Sequence, residues 1–127
     1  MFEKLELIRM AQALASHSGA RMGVIARNVA HADTPGYKAQ DLPAFAKVFA
    51  ADEGAMRATR AGHLSASSDA ATLIPEQAPG RESPNGNSVS LEAEMVKSVE
   101  ARQNHDMALA IYRATADVIR ASLGRPR

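Results

Sequence analysis

The placement of proline limits this chain more than any other feature. The six prolines stand at positions 35, 43, 75, 79, 84 and 126, so residues 1–34 and 85–125 lack the one side chain that cannot sit inside an α-helix. Two long helices are therefore predicted at the ends, joined by a middle that holds five of the six prolines. The expected fold class is mainly α, with the two terminal helices forming a coiled-coil-like pair and an irregular or β-hairpin-like segment between them. The expected organisation is an N-terminal amphipathic helix at 1–33, a middle with a turn motif at 34–88 and a C-terminal helix at 89–125. At 127 residues these parts make one structural domain.

The first helix carries Ile8, Ala15, Met22 and Val29 every seven residues, interleaved with Ala11, Ser18, Ile25 and Ala32, the a/d pattern of a coiled-coil seam. With 26 alanines in the chain, the seams are expected to be thin and closely approached. Leu5, Leu7 and Leu14 widen the stripe near the N-terminus. Gly19 and Gly23 each cost about 1 kcal/mol against Ala inside a helix, so this helix needs packing partners to order.

The last helix reads differently. Val96, Met107 and Val118 recur at eleven residues, as do Val99, Ala110 and Ala121, and Gln103 with Ala114, a repeat that suits a straight or slightly right-handed packing. Ile8, Ala15, Met22, Ile25 and Val29, with Val96, Val99, Met107, Ala110, Ala114 and Val118, are the expected assembly seam. Ala110 is expected at the centre of a close contact and Ala108 on the opposite face. Ser90 with Glu92 and Glu94 offers a cap and an acidic first turn, while Arg120, Gly124, Arg125 and Pro126 offer a basic last turn, a stop and a breaker.

In the middle, runs such as Ser65 to Asp69 and Pro79 to Asn87 bury too little to offset their ordering entropy. A short helix is expected over Asp41 to Ala51, with Phe45, Val48 and Phe49 on one face, and extended or hairpin-like structure elsewhere; Leu73-Ile74 is too short for a firm strand. The balance of 15 basic and 14 acidic residues gives +1, without the basic excess that nucleic acid or an anionic membrane requires. Zero Cys removes disulfides and thiolate chemistry, and no apolar run approaches the roughly 20 residues of a membrane span. The first residues lack a cationic then apolar secretory signal, so Sec-type export is not expected.

Nothing local carries a reaction. The histidines at 17, 31, 63 and 105 are never three or four apart, the spacing of a helix-borne metal pair. His31-Ala32-Asp33 reads as a polar helix end, and His105-Asp106 as a solvated pair or an inter-subunit contact. There is no G-x-S-x-G, and the glycines are scattered singly rather than gathered into a phosphate loop. No catalytic, cofactor-binding or metal-binding residues are expected, and no small-molecule substrate.

The informative segment runs from Arg27 to Asp41. Pro35 stops the helix, and Pro35-Gly36 is the preferred central pair of a type II turn, with Gly36 supplying the positive φ. Asn28, Val29, Ala30, Thr34, Pro35, Gly36, Tyr37 and Lys38 together resemble the N-terminal signature of the flagellar axial proteins of rod and hook. A second block containing Asn87, Val89, Glu94 and Met95 resembles that family's entry to its C-terminal helix. The length, Ala39-Gln40-Asp41 and Thr59 to Leu64 are most similar to the proximal rod members of the basal-body rod protein family. His31, Ser90 and His105 depart from the family pattern, where Asn, Asp and an aromatic residue are usual.

The resemblance implies a structural, non-enzymatic subunit of the proximal rod that polymerises through its terminal helices and passes torque from the membrane ring toward the hook. It implies export through the flagellar type III apparatus without a cleaved signal peptide, and assembly in the periplasm. The implied partners are other rod subunits, the membrane-ring and adaptor proteins and the export gate, with self-association. A soluble coiled-coil adaptor or chaperone that never polymerises is the alternative from another class, and a distal-rod or hook paralogue the nearer one.

Overall fold

The computed structural model describes residues 2–53 and 73–124. Thr59 to Leu64, the Ser65 to Asp69 run, His63, Arg125 and Pro126 lie outside the described residues. In chain order the elements are α1 (Phe2–Ala30), β1 (Gln40–Asp41), α2 (Phe45–Glu53), β2 (Glu76–Gln77) and α3 (Leu91–Ser122). The molecule is mainly helical, with α1 and α3 packed along each other and two short strands in the middle.

The helices end where local chemistry stops them. After Ala30 the chain passes through turns to Thr34-Pro35-Gly36-Tyr37, where Tyr37 N–H donates to Thr34 O at 3.3 Å and Gly36 has φ 73°, as a type II turn requires. Ser90 caps α3, its side chain accepting from Ala93 N–H while its hydroxyl donates to Glu92 at 2.9 Å. The exposed Glu92 carboxyl is held below its ordinary pKa by its own backbone N–H and by that hydroxyl. At the other end Leu123 closes on Ile119 O and Gly124 turns to φ 82°.

The two long helices run antiparallel. Asn28 near the end of α1 bonds Glu94 near the start of α3, and a turn or two back Arg21 lies 3.8 Å from Glu100. On α1 the buried line is Ala11, Ser18 and Ile25, one of the two rows expected from the heptad. The other row is half-buried at Ile8, Ala15 and Met22 and exposed at Val29, because the contact is rotated toward Leu14, Arg21 and Asn28.

On α3 the residues of the expected assembly seam face away from the chain's own first helix. The residues buried in the chain are Glu94, Ala101, Ala108 and Thr115, a seven-residue spacing, whereas Val96, Val99, Met107, Ala110, Ala114 and Val118 are all exposed. Ala108 is 0% exposed, so the close contact within the chain is at Ala108, on the face opposite Ala110. The eleven-residue repeat therefore marks the outer face of α3. The inner face is chosen by small side chains that let the backbones approach, not by large apolar ones.

The middle folds over the C-terminal half of α1. β1 and β2 pair antiparallel, Gln40 opposite Gln77 and Asp41 opposite Glu76, which is the hairpin-like element expected. α2 begins after Pro43, with Phe45, Val48 and Phe49 half-buried. Phe45 packs edge-on to His17 with centroids 5.7 Å apart, and Arg9 lies 5.7 Å over the Phe49 ring. The apolar core is thin: Ala11, Val24, Ile25, Ala39, Leu42, Ala101 and Ala108. The largest fully buried side chains are Glu94, Asn28 and Asn87, all polar.

Candidate functional site

Asn28, Asn87 and Glu94 form a polar clasp that ties the end of α1, the turn, β1 and the start of α3 together. α1 aims Asn28 inward one heptad beyond Arg21, on the side that faces β1. Its amide nitrogen donates to Gln40 O at 2.6 Å and to Glu94 Oε2 at 2.9 Å, while its oxygen accepts from Gln40 N–H at 3.1 Å and Tyr37 O–H at 3.3 Å. Both hydrogens and both lone pairs are used. Toward Gln40 the side-chain amide presents the donor and acceptor that a neighbouring strand's peptide group would present, so it substitutes for a strand on the open edge of β1. Only a primary amide can do this while also donating to a carboxylate.

Asn87 performs the complementary task on the helix end. Its amide nitrogen lies within 2.7–3.0 Å of the carbonyls of His31, Ala32 and Thr34, and its oxygen accepts from Val89 N–H at 2.7 Å. A side chain 55 positions away thus supplies donors to carbonyls that the end of α1 leaves without helical partners. The loop carrying Asn87 meets the Pro35-Gly36 turn backbone to backbone. Gly36 N–H donates to Asn85 O at 3.0 Å, and a Cβ on Gly86, which has φ 79°, would lie 3.5 Å from Gly36 Cα. Ser88 completes the join: its Oγ accepts from Ala39 N–H at 2.9 Å and its N–H donates to Tyr37 O.

From Glu94 the contacts continue as alternating charges. Glu94 Oε1 accepts from Lys97 at 2.8 Å, Lys97 lies 3.8 Å from Asp41, Asp41 accepts both arms of Arg21 at 2.8 and 2.9 Å, and Arg21 reaches toward Glu100. The bidentate pair fixes β1 against α1. The bond to Asp41 raises the Arg21 pKa over the opposing effect of burial. Burial by itself raises the Asp41 carboxyl, but Arg21, the Leu42 N–H and Lys97 outweigh it and hold it below the usual carboxylate range. Among the described residues every buried side-chain nitrogen and oxygen has a partner.

The structure brings together Asn28, Tyr37, Asn87 and Glu94 from the two sequence blocks. Val89 contributes only its N–H, and Val29, Ala30, Thr34, Pro35 and Met95 are exposed. Lys38 pairs with Glu82 across the loop. His31, at a position where the sequence departs from the family pattern, stacks on Tyr37 with centroids 4.7 Å apart and sits 3.2 Å from Thr34 Oγ1. Ser90 supplies the cap of α3, and His105 lies 3.7 Å from Asp106. Arg21, Lys97 and Ser88 were missed by sequence reasoning. The Glu94-Lys97 spacing of three reads as an ordinary surface pair.

A cleft of about 330 Å³ opens between α1, Leu42 to Phe45 and α3. Its one histidine, His17, donates Nε2–H to Pro43 O at 2.8 Å. Among the described residues no group of three or more His, Cys, Asp or Glu side chains is placed to hold a metal ion, and no helix is long and apolar enough to cross a membrane.

The chain aligns with the flagellar basal body rod protein FlgB of Agrobacterium fabrum at 28% identity over 123 residues, covering 88% of each chain. It resembles a rod protein. No family model matches the chain. That rod protein is similar over nearly the whole length, so the likeness takes in both helices and both halves of the clasp region.

Outside the clasp, the second feature of note is the outer surface. Met95, Val96 and Val99 are 60–70% exposed, and Met107 and Val118 are about half exposed on the same helix. Leu5, Leu7, Met10 and Val29 are exposed on α1.

Proposed function

We propose that this chain is a structural subunit of the proximal rod of the bacterial flagellar basal body, polymerising through its terminal helices and transmitting torque from the membrane ring toward the hook. The observation that carries this reading is the inverted character of α3. A 32-residue helix turns Glu94, Ala101, Ala108 and Thr115 toward its own chain and Met95, Val96, Val99, Met107 and Val118 toward solvent. Such a face is a contact surface awaiting neighbours. The similarity to a rod protein supports the kind of neighbour: other rod subunits, with the membrane-ring and adaptor proteins at the base and the export gate before assembly. Heterologous contacts between long helices build an open helical array, and many parallel helix contacts resist shear.

The clasp has a role in this reading. Torque loads the helix pair, and a paired end that opened locally would yield first. Saturated hydrogen bonds between α1, β1 and α3 keep that end closed without a large apolar core. A thin core in turn suits a chain that crosses the export apparatus unfolded and orders afterwards, in the periplasm and without a cleaved signal peptide. The role is structural and non-enzymatic.

The test is complementation of a strain lacking the native protein with Val99→Asp. Val99 is 67% exposed, so the variant folds, yet it places a charge on the assembly face. The expected result is normal export, loss of the chain from purified basal bodies and loss of swimming. A strain that swims normally with Val99→Asp overturns the reading. A soluble adaptor would instead be recovered with one partner and be absent from basal bodies even as wild type.

A further inference from the structure

The outer face of α3 has a second property that the rod reading does not use. At 100° per residue, Arg102, Asp106, Arg113, Asp117 and Arg120 fall within an arc of about 60° along one flank of the apolar stripe. Their signs alternate along the helix. Among the described residues, Arg102 and Arg113 make no ion pair or side-chain hydrogen bond, and Asp106 has only His105 at 3.7 Å. Asp117 pairs with Arg120 one turn on at 3.1 Å, but both side chains are exposed, and such a surface pair is weak enough to exchange for a partner on a neighbouring chain.

When two copies of a helix pack antiparallel about a two-fold axis, each flank meets the same flank of its partner. A dyad beside Ala110 sets Arg102 opposite Asp117 and Asp106 opposite Arg113, each pair occurring twice. The same register sets Met107 beside Ala110 and Ala114 of the second copy, large against small, and Val99 beside Ala121. In a parallel pair the charged flank would meet the other side of the stripe, where Val96, Val118 and a single carboxylate, Glu100, lie, and would find no match for its alternating signs. The eleven-residue repeat suits a straight helix pair of this kind.

We propose that the free chain forms a two-fold antiparallel dimer through the outer face of α3, with a second copy of this chain as its occupant. A two-fold pair has no polarity and cannot grow into a rod. It is a reservoir form that covers the apolar stripe before assembly and must part for the subunit to be used. The dimer stands on the charge pattern and the exposed face, and does not depend on the rod reading.

The chain has no cysteine, which makes the test direct on the purified full-length protein. Sedimentation equilibrium at low salt is expected to show a monomer–dimer equilibrium. Under mild oxidation, Ala110→Cys is expected to link to itself, whereas Val99→Cys links to Ala121→Cys when the two are mixed and not to itself. Asp106→Arg weakens the dimer roughly tenfold, since one exposed attraction becomes a repulsion at two places, and Asp106→Arg with Arg113→Asp restores it. A chain that stays monomeric at about 100 µM overturns the proposal, as does Val99→Cys self-linking as readily as Ala110→Cys, or a dimer indifferent to Asp106→Arg. All substituted positions flank or line the exposed stripe, and circular dichroism of each variant separates misfolding from loss of the contact.

Discussion

Replacing Asn28 by Asp changes one NH2 group for one oxygen at the centre of the clasp. In the wild type the amide nitrogen lies 2.9 Å from Glu94 Oε2, and both side chains are almost completely buried. The variant sets two carboxylates at that distance, where repulsion is about 6 kcal/mol even at an effective dielectric of 20. Holding one proton on an ordinary carboxyl at pH 7 costs less, about 4 kcal/mol for three pH units. The folded variant therefore takes up a proton, which also restores a donor toward Glu94. What stays lost is the second donor, to Gln40 O, worth about 1 kcal/mol.

The predicted deficit against wild type is about 4–5 kcal/mol at pH 7, a large part of the stability of a small domain. Its pH dependence carries the sign. The folded variant binds one more proton than its unfolded state between pH about 4 and 7, so its stability falls as pH rises and the deficit narrows by about 1.4 kcal/mol for each unit of acidification. Urea titrations followed by circular dichroism at pH 7, 6 and 5, on protein dilute enough to be monomeric, measure this directly. A deficit under about 1 kcal/mol at pH 7, or one that does not move with pH, would refute the account of Asn28 as a buried donor to Glu94.

The two alanine positions on α3 should separate cleanly in the monomer: Ala108→Leu overpacks a site with no exposure and costs about 1–3 kcal/mol, while Ala110→Leu on the outer face stays within about 0.5 kcal/mol by the same urea assay. Asp41→Asn removes a carboxyl held below its ordinary pKa, so the wild type's advantage should be full above about pH 4 and vanish as the pH falls through the folded-state value. A difference that grows on acidification would contradict the Arg21 pairing. Gly36→Val forces a β-branched residue to φ 73° at a cost of about 1–3 kcal/mol, whereas Gly23→Ala, where an added Cβ meets nothing within 4 Å, should raise thermal stability by up to about 1 kcal/mol.

Local covalent chemistry determined most of the secondary structure without reference to the rest of the chain. Proline spacing marked both long helices, Pro35-Gly36 specified the turn that the Tyr37 to Thr34 hydrogen bond closes, Ser90 and Gly124 marked the ends of α3, and Phe45, Val48 and Phe49 marked α2. Each of these is a short-range steric or hydrogen-bonding effect, legible within a few residues. The clasp was legible only as a pair of motif blocks containing Asn28, Asn87 and Glu94. That these three are the largest fully buried side chains depends on contacts spanning 53 to 66 positions, for which no local signal exists.

Which face of α3 turns inward was decided by the tertiary structure alone. Hydrophobic periodicity points to Val96, Val99, Met107 and Val118, because burial of large apolar area is the usual driving force. Within this chain, close backbone approach at Ala101 and Ala108 and the hydrogen bonds of Glu94 set the orientation instead. The apolar stripe was left on the outside because, among the described residues, α3 packs on one helix, α1, whose contact line mixes Ala11 and Ile25 with Ser18, Arg21 and Asn28 and is too narrow and polar to cover a second face.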